Sequence, residues 1–249
     1  MSKKIKVLVI SDHPFSFSGV GTQTKYMIES LLDTGKFQVV CFGGAIKHND
    51  YKPQKIEEYG DDWTIYPVDN YGTQEMVRSA IWNEKPDILW FMTDPRFYEW
   101  LWAIENEVRA NIPMVYYHVW DNYPAPNYNR KYYLSNDVIT TISKLTDRAV
   151  REVAPEVETH YVPHAVDDKF FRVLGDDEMI PFKEEHFADK KDKIVFFWNG
   201  RNAKRKMSGS ILWWFNEFAT EVGPDNVCLI MHTDPKDAHG QDLHAMIHE

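Results

Sequence analysis

A chain of 249 residues with 43% hydrophobic and 27% charged side chains can bury one large core or two modest ones, and its composition excludes a disordered polymer. A formal charge of -10 and an isoelectric point near 5.5 exclude a conventional nucleic-acid-binding face, which needs clustered Lys and Arg to neutralise phosphates. Basic residues therefore carry meaning only where they are locally concentrated.

The opening MSKKIKVLVISDHP holds an apolar run at residues 5–10 that ends in Ser11, Asp12 and His13, so it reads as a first strand and not as a signal peptide. No run approaches the roughly 18 to 20 apolar residues of a membrane span, so no transmembrane segment and a cytoplasmic location are expected. Cys41 and Cys228 sit in apolar strand-like runs and are expected to be buried, reduced thiols. The β-branched run 5–10 fits a parallel strand covered on both faces. A glycine-bearing loop follows, then a helix in which Met27, Ile28, Leu31 and Leu32 share one stripe. Gly35 ends that helix, and strands are expected at 37–42 and 63–68, separated by a polar stretch. A helix from about Thr73 leads to a strand at 88–92. The next helix places Phe97, Trp100, Leu101, Ile104 and Val108 on one face. Further strands are expected at 114–118, 138–142 and 160–163, with Ser143 capping a helix between the last two.

This alternation of strand and helix specifies an α/β fold with a doubly wound, Rossmann-like parallel sheet over residues 1–167. Residues 168–192 are dense in charge and lack periodicity, so they read as a connecting segment. The pattern restarts at 193–249 with a strand, a basic loop at 199–206, a helix aligning Met207, Ile211, Trp214, Phe215, Phe218 and Val222, a second strand at 227–231 and a last helix near Gln241. Two strands are too few for a second doubly wound domain, which usually spans on the order of 100 to 150 residues, so either the chain is truncated and this unit partial, the favoured reading, or the unit packs onto the first as an appendage.

Ligands of open α/β sheets bind beyond the carboxyl ends of the strands. Four segments fall there. The loop SFSGVGT carries Gly19, Val20 and Gly21 before a helix N-terminus, where free N–H groups and the helix dipole suit a phosphate or sugar hydroxyls, although a tight strand-to-helix turn explains it equally well. It matches neither a Walker A loop nor the G-x-G-x-x-G fingerprint. His118 ends the strand PMVYYH, where it can reach a substrate hydroxyl with Asp121 near enough in sequence to tune its protonation; the alternative is a structural histidine among aromatics. His164 in VPHAVD faces either a ligand or nothing more than a hinge. The loop WNGRNAKRKMSG places Arg201, Lys204, Arg205 and Lys206 after Gly200, a local anion trap suited to a diphosphate in an otherwise acidic chain, the alternative being a solvated charge run. His244 and His248 stand at i, i+4 spacing, but HAMIH lacks the glutamate of zinc helices, so no metal site is expected.

Taken in order, SGVGT, YYHVWD, VPHAVD and GRNAKRK resemble the corresponding motifs of retaining GT-B glycosyltransferases of the family 4 type. That resemblance implies a GT-B architecture and transfer of a sugar from a nucleotide-sugar donor to an acceptor hydroxyl with retention of configuration. It casts His118, Arg201 and Lys206 as catalytic, and Gly19, Val20, Gly21, Asp121, His164, Gly200 and Arg205 as donor or substrate contacts. No cofactor and no metal are implied, since the cations take the metal's role. The acceptor is left open between saccharide, lipid and protein glycan. Met207 and Ala165 stand where the family usually has glycine, and the Glu-x7-Glu region has no counterpart, so weak or absent transfer is expected of the 249-residue form. The competing readings are a non-catalytic Rossmann-like module binding a sugar or a protein and, less favoured for want of the dinucleotide fingerprint, a sugar-phosphate epimerase.

Overall fold

The computed structural model describes residues 3–190 and 192–248, and they divide into two compact units, Met1–Asp167 and Asp168–Glu249. The first unit is built on an eight-stranded sheet. Its strands are β1 (Ile5–Asp12), β2 (Phe37–Gly44), β3 (Gln54–Lys55), β4 (Trp63–Pro67), β5 (Ile88–Thr93), β6 (Met114–His118), β7 (Val138–Thr141) and β8 (Glu158–Tyr161), in the spatial order β3-β4-β2-β1-β5-β6-β7-β8. Every neighbouring pair is parallel except β3 with β4, a two-residue antiparallel edge within the stretch read as merely polar.

Side chains alternate across β1, so one unbroken apolar run fills two cores. Leu8 and Ile10 point to a cluster with Phe42, Leu89, Phe91 and Tyr116, closed by α2 (Gln74–Glu84), α3 (Glu99–Trp102), α4 (Glu105–Arg109) and α6 (Lys144–Val153). Val7 and Val9 point the other way to Val39, Cys41, Ile65, Trp90 and Met92, closed by Ile28 and Leu32 of α1 (Gly19–Asp33). Cys41 is fully buried, and burial pushes its thiol far up, as expected of an inert core cysteine; Cys228 is half-buried, and both are free.

The single helix expected over Phe97–Val108 is instead a 3₁₀ turn followed by α3 and α4, broken at Ala103 and Ile104. Tyr98 supplies the reason. Its ring is fully buried, and its hydroxyl sits 2.6 Å from the Met92 carbonyl and 2.9 Å from that of Ile10, which draws the segment down between β5 and β1. Phe97, placed on the buried face by periodicity alone, is left 39% exposed. A helix unmarked by periodicity, α5 (Arg130–Leu134), follows β6.

In the second unit, β9 (Ile194–Asn199) and β10 (Val227–His232) pair in parallel, from Ile194 opposite Val227 to Asn199 opposite His232. On one face Phe196 meets Phe215 and Phe218 of α8 (Ser208–Val222) at ring separations of 5.8 and 5.6 Å. On the other, α7 (Asp176–Phe187) leaves an apolar groove lined by Phe182, Phe187, Val195 and Phe197. The segment 168–192, expected as a mere connection, thus contains a 12-residue helix. Its first turn holds Asp176, Asp177 and Glu178, which favour helix formation through the helix dipole where apolar periodicity gives no signal. The chain closes with α9 (Leu243–His248). No helix among the described residues is long and apolar enough to cross a membrane.

Replacing Tyr98 by Phe deletes the hydroxyl between two buried carbonyls while keeping the ring. The expected loss is about 1 to 3 kcal/mol of unfolding free energy, read from urea titrations of the two proteins.

Candidate functional site

In the first unit the strand order reverses at β1, which lies between β2 and β5, so the carboxyl ends of β1 and β5 flank the crevice where open α/β sheets bind ligands. Asp12, buried at the end of β1, accepts from the Tyr71 hydroxyl at 2.8 Å and from the Ser18 hydroxyl at 2.6 Å. Ser18 caps α1 in turn, its oxygen accepting from the Gly21 N–H at 2.9 Å. Burial, and then the carboxylate of Asp12, push the Tyr71 phenol up, so it stays a donor.

The two glycines of this loop differ in their reason for being glycine. A Cβ on Gly21 would lie 2.6 Å from the His13 carbonyl oxygen and against the Ser16 hydroxyl, so Gly21 serves the packing of its own loop. A Cβ on Gly19 would meet nothing within 4 Å, and this residue is exposed at the first position of α1. Val20 is half-buried against the α1-side core. Sequence reading took the pair as one device; the structure separates them.

His118 ends β6 as expected but faces inward. It is fully buried, Nε2 lies 2.8 Å from the Tyr133 hydroxyl and Nδ1 lies 3.1 Å from that of Tyr116. The Tyr116 proton is committed to the Thr93 carbonyl at 2.6 Å, so Nδ1 carries hydrogen and donates to the Tyr116 oxygen, while Nε2 accepts from Tyr133. Burial holds the imidazole neutral, with its pKa pushed down to about 3. Its partners are tyrosines and not Asp121, which is exposed. This corrects the expectation of a substrate-facing histidine tuned by Asp121: bulky aromatics on β6 and α5 close over the ring. His164 lies edge-on to Tyr117 at 5.6 Å, with partial burial lowering its pKa. Its segment is held by Tyr117, whose hydroxyl donates to the Val162 carbonyl at 2.8 Å, and by Gln23 of α1, whose amide bonds both backbone groups of Ala165 at 2.6 and 3.0 Å.

Sequence reading also missed His13 and His48. Their rings lie 5.5 Å apart beside the ends of β1 and β2, and burial, then His48, lower the His13 pKa. Neither has a local signal, because β2 and its loop bring His48 back across 35 residues of sequence.

In the second unit the basic turn follows β9 through Gly200, whose N–H points to the His232 carbonyl at 3.4 Å. Asn202 is fully buried, donating to the Gln241 carbonyl at 2.7 Å and accepting from the Ser208 hydroxyl, and the Lys204 N–H bonds the His239 carbonyl at 3.0 Å. These bonds weld the turn to the loop after β10. Met207 adopts φ +53 and ψ +38 at the start of α8, a left-handed conformation that costs a side-chain-bearing residue roughly 1 kcal/mol and that glycine adopts freely. Arg201 is taken by Asp237, Nε to Oδ2 at 2.6 Å and Nη2 to Oδ1 at 3.2 Å, whereas Lys204, Arg205 and Lys206 are exposed and have no ion-pair partner among the described residues. Of four expected cations, three stand unpaired among the described residues. His244 and His248 lie one turn apart on α9, and among the described residues no three metal-ligating side chains converge.

Two Rossmann-like units, the first doubly wound and the second entered by a glycine and a cationic turn, are those of the GT-B glycosyltransferase fold. Solved structures that share it include trehalose-6-phosphate synthase OtsA, at a TM-score of 0.64 and 11% identity over 98% of this chain and 68% of that one. An E. coli structure described as trehalose-6-phosphate, bound with UDP-2-fluoro glucose, gives 0.60 and 12% over 98% and 68%. A glycosyltransferase from Rickettsia africae gives 0.58 and 11% over 99% and 72%. No family profile matches the chain, and no curated protein sequence matches it.

Two expectations follow. Gly21→Ala disrupts the first loop and lowers stability, whereas Gly19→Ala leaves the urea midpoint unchanged; equal stability of the two variants would contradict the packing role. For His118 the folded pKa lies below the unfolded value near 6.5, so the unfolded chain binds the extra proton. Stability is then full above about pH 6.5 and falls on acidification towards the folded pKa, by up to about 1.4 kcal/mol per pH unit. Urea midpoints of wild type and His118→Gln between about pH 7.5 and pH 5 test this, the variant being less stable at the upper end but less steep.

Proposed function

We propose that this chain serves glycosyl transfer, the movement of a sugar from a nucleotide-diphosphate donor to an acceptor hydroxyl with retention of configuration, with weak or absent turnover expected of the 249-residue form itself. The observation that carries the reading is the unpaired cationic turn Lys204–Lys206 at the carboxyl end of β9, in a chain that shares the GT-B fold over nearly its whole length. An exposed turn with three cations unpaired among the described residues offers point charges to a diphosphate, and Arg201 adds a planar donor. As the nucleotide leaves, negative charge grows on its phosphate, and each well-placed cation that meets it lowers the barrier by roughly 3 kcal/mol. These groups perform the charge neutralisation that a metal performs elsewhere, so the reading requires neither metal nor cofactor. Gly200 lets the turn begin without a side chain in the way.

In the first unit the reading assigns the exposed N–H groups of Gly19 and Val20 to the donor or acceptor. Asp121 and His164, both at strand ends, are the side chains offered to the substrate there. His118 acts as a positioning residue, keeping Tyr116 and Tyr133 in place behind the site. A uridine nucleotide is the first donor to test, because one structural neighbour is bound with UDP-2-fluoro glucose. A cytoplasmic location belongs to the same reading, and the acceptor class stays open.

Calorimetric titration with UDP, GDP and ADP tests the proposal on wild type, Lys206→Ala and Arg201→Ala. At least one diphosphate is expected to bind, and losing one charge-assisted contact is expected to weaken it about tenfold or more. Absence of binding by all three nucleotides, or equal binding by all three proteins, removes the assignment.

A further inference from the structure

Arg201 differs from the other cations of its turn because its guanidinium is already spoken for. Of its five N–H groups, Nε–H goes to Asp237 Oδ2 at 2.6 Å and one Nη2 hydrogen to Asp237 Oδ1 at 3.2 Å, while His239 Nδ1 lies 2.8 Å from Nη2 and 3.1 Å from Asp237 Oδ1. Asp237 is itself fixed, since Oδ1 also accepts the His239 backbone N–H at 2.8 Å, and its side chain is only 12% exposed while that of Arg201 is 62% exposed. The guanidinium and the His239 N–H together hold the Asp237 carboxyl far below the usual range. The loop carrying both residues is welded to the basic turn through buried Asn202 and the Lys204-to-His239 backbone bond. The pair is therefore held from both sides, by backbone and by side chain.

We infer that Asp237 is a positioning residue for anion recognition by Arg201: it claims two of the five guanidinium donors and leaves the Nη1 end for the ligand. This deepens the proposed donor site and rests on the assignment of Arg201 to a diphosphate. Two effects of Asp237 oppose each other. Its charge weakens the pull of Arg201 on an anion, whereas its bidentate grip removes the rotamer freedom that a long, exposed side chain would otherwise lose on binding. The first effect is screened by salt and the second is not. At high ionic strength the grip prevails, and Asp237 strengthens anion binding despite its own negative charge. Arg201 then offers one end instead of a full fork, so the turn meets the phosphates through several point contacts, with Lys204, Arg205 and Lys206 supplying the rest.

Inorganic pyrophosphate is titrated into the 249-residue chain as wild type, Asp237→Asn, Arg201→Ala and the double variant, in about 0.3 M potassium chloride, where the screening length is roughly 6 Å. Asp237→Asn is expected to weaken binding about tenfold, and to have no effect once Arg201 is gone. Binding by Asp237→Asn equal to or tighter than wild type, with Arg201→Ala still weakened, overturns the positioning role alone. An equal loss on top of Arg201→Ala overturns it too, by showing that Asp237 acts on the loop and not through the guanidinium. Wild-type affinity in Arg201→Ala overturns the donor-site assignment, and the positioning role with it. A second measurement needs no variant: the Arg201 Nε–H resonance is expected to stay in slow exchange with solvent at saturating pyrophosphate, and its loss would mean that the anion displaces Asp237.

Discussion

A parallel sheet buried on both faces has no free surface except the ends of its strands, and that constraint organises this protein. In β1 the residues Val7 to Ile10 are sealed between two helical layers, and the chain stays buried through Pro14 before it first reaches solvent at Phe15. The same holds at the ends of β5 and β6. Whatever chemistry the first unit performs must gather along that one edge, where Asp12, Ser18, Tyr71, His13 and His48 are found. Tyr98 stitches the edge together at its centre, because β1 and β5 share its hydroxyl.

Each candidate loop is held by a closed polar network before any ligand arrives. Around the first glycine loop the network runs from Tyr71 through Asp12 and Ser18 to the N–H of Gly21. Around the cationic turn it runs through Asn202, Ser208 and Gln241, with Arg201 anchored separately on Asp237. Satisfied networks of this kind hold loop geometry rigid, which keeps the entropic cost of recognition low. They also explain why residue type alone misleads. An arginine beside three other cations looks like a ready anion ligand, yet a carboxylate 36 residues further on has taken two of its donors.

The fold was legible to the extent that it depends on local pattern. Runs of β-branched residues placed the strands of the central sheet, and Ser143, expected as a helix cap, does cap α6 with its side-chain oxygen. Where a segment is shaped by one distant contact, pattern failed. Tyr98 broke an apparently continuous helix by reaching for carbonyls on two strands, and α7 formed in a segment whose apolar residues follow no period. The site divides in the same way. The cationic turn was visible because four charges in six residues are rare after a strand, whereas the His13–His48 pair was invisible because only the sheet brings its halves together.

His118 shows the division within one residue. That it stands at the carboxyl end of a central strand was determined by sequence, since the apolar run PMVYY can end only there. Which way its ring faces was decided by the tertiary structure, because Tyr133, fifteen residues later on a helix without apolar periodicity, closes over it and takes its last free nitrogen. The sequence by itself determined the alternation of strands and helices, the position of the glycine and cationic turns, and hence the class of fold. Only the tertiary structure decided which polar groups remain available to a ligand, because hydrogen bonds between residues far apart in the chain use up donors and acceptors that no local pattern can count.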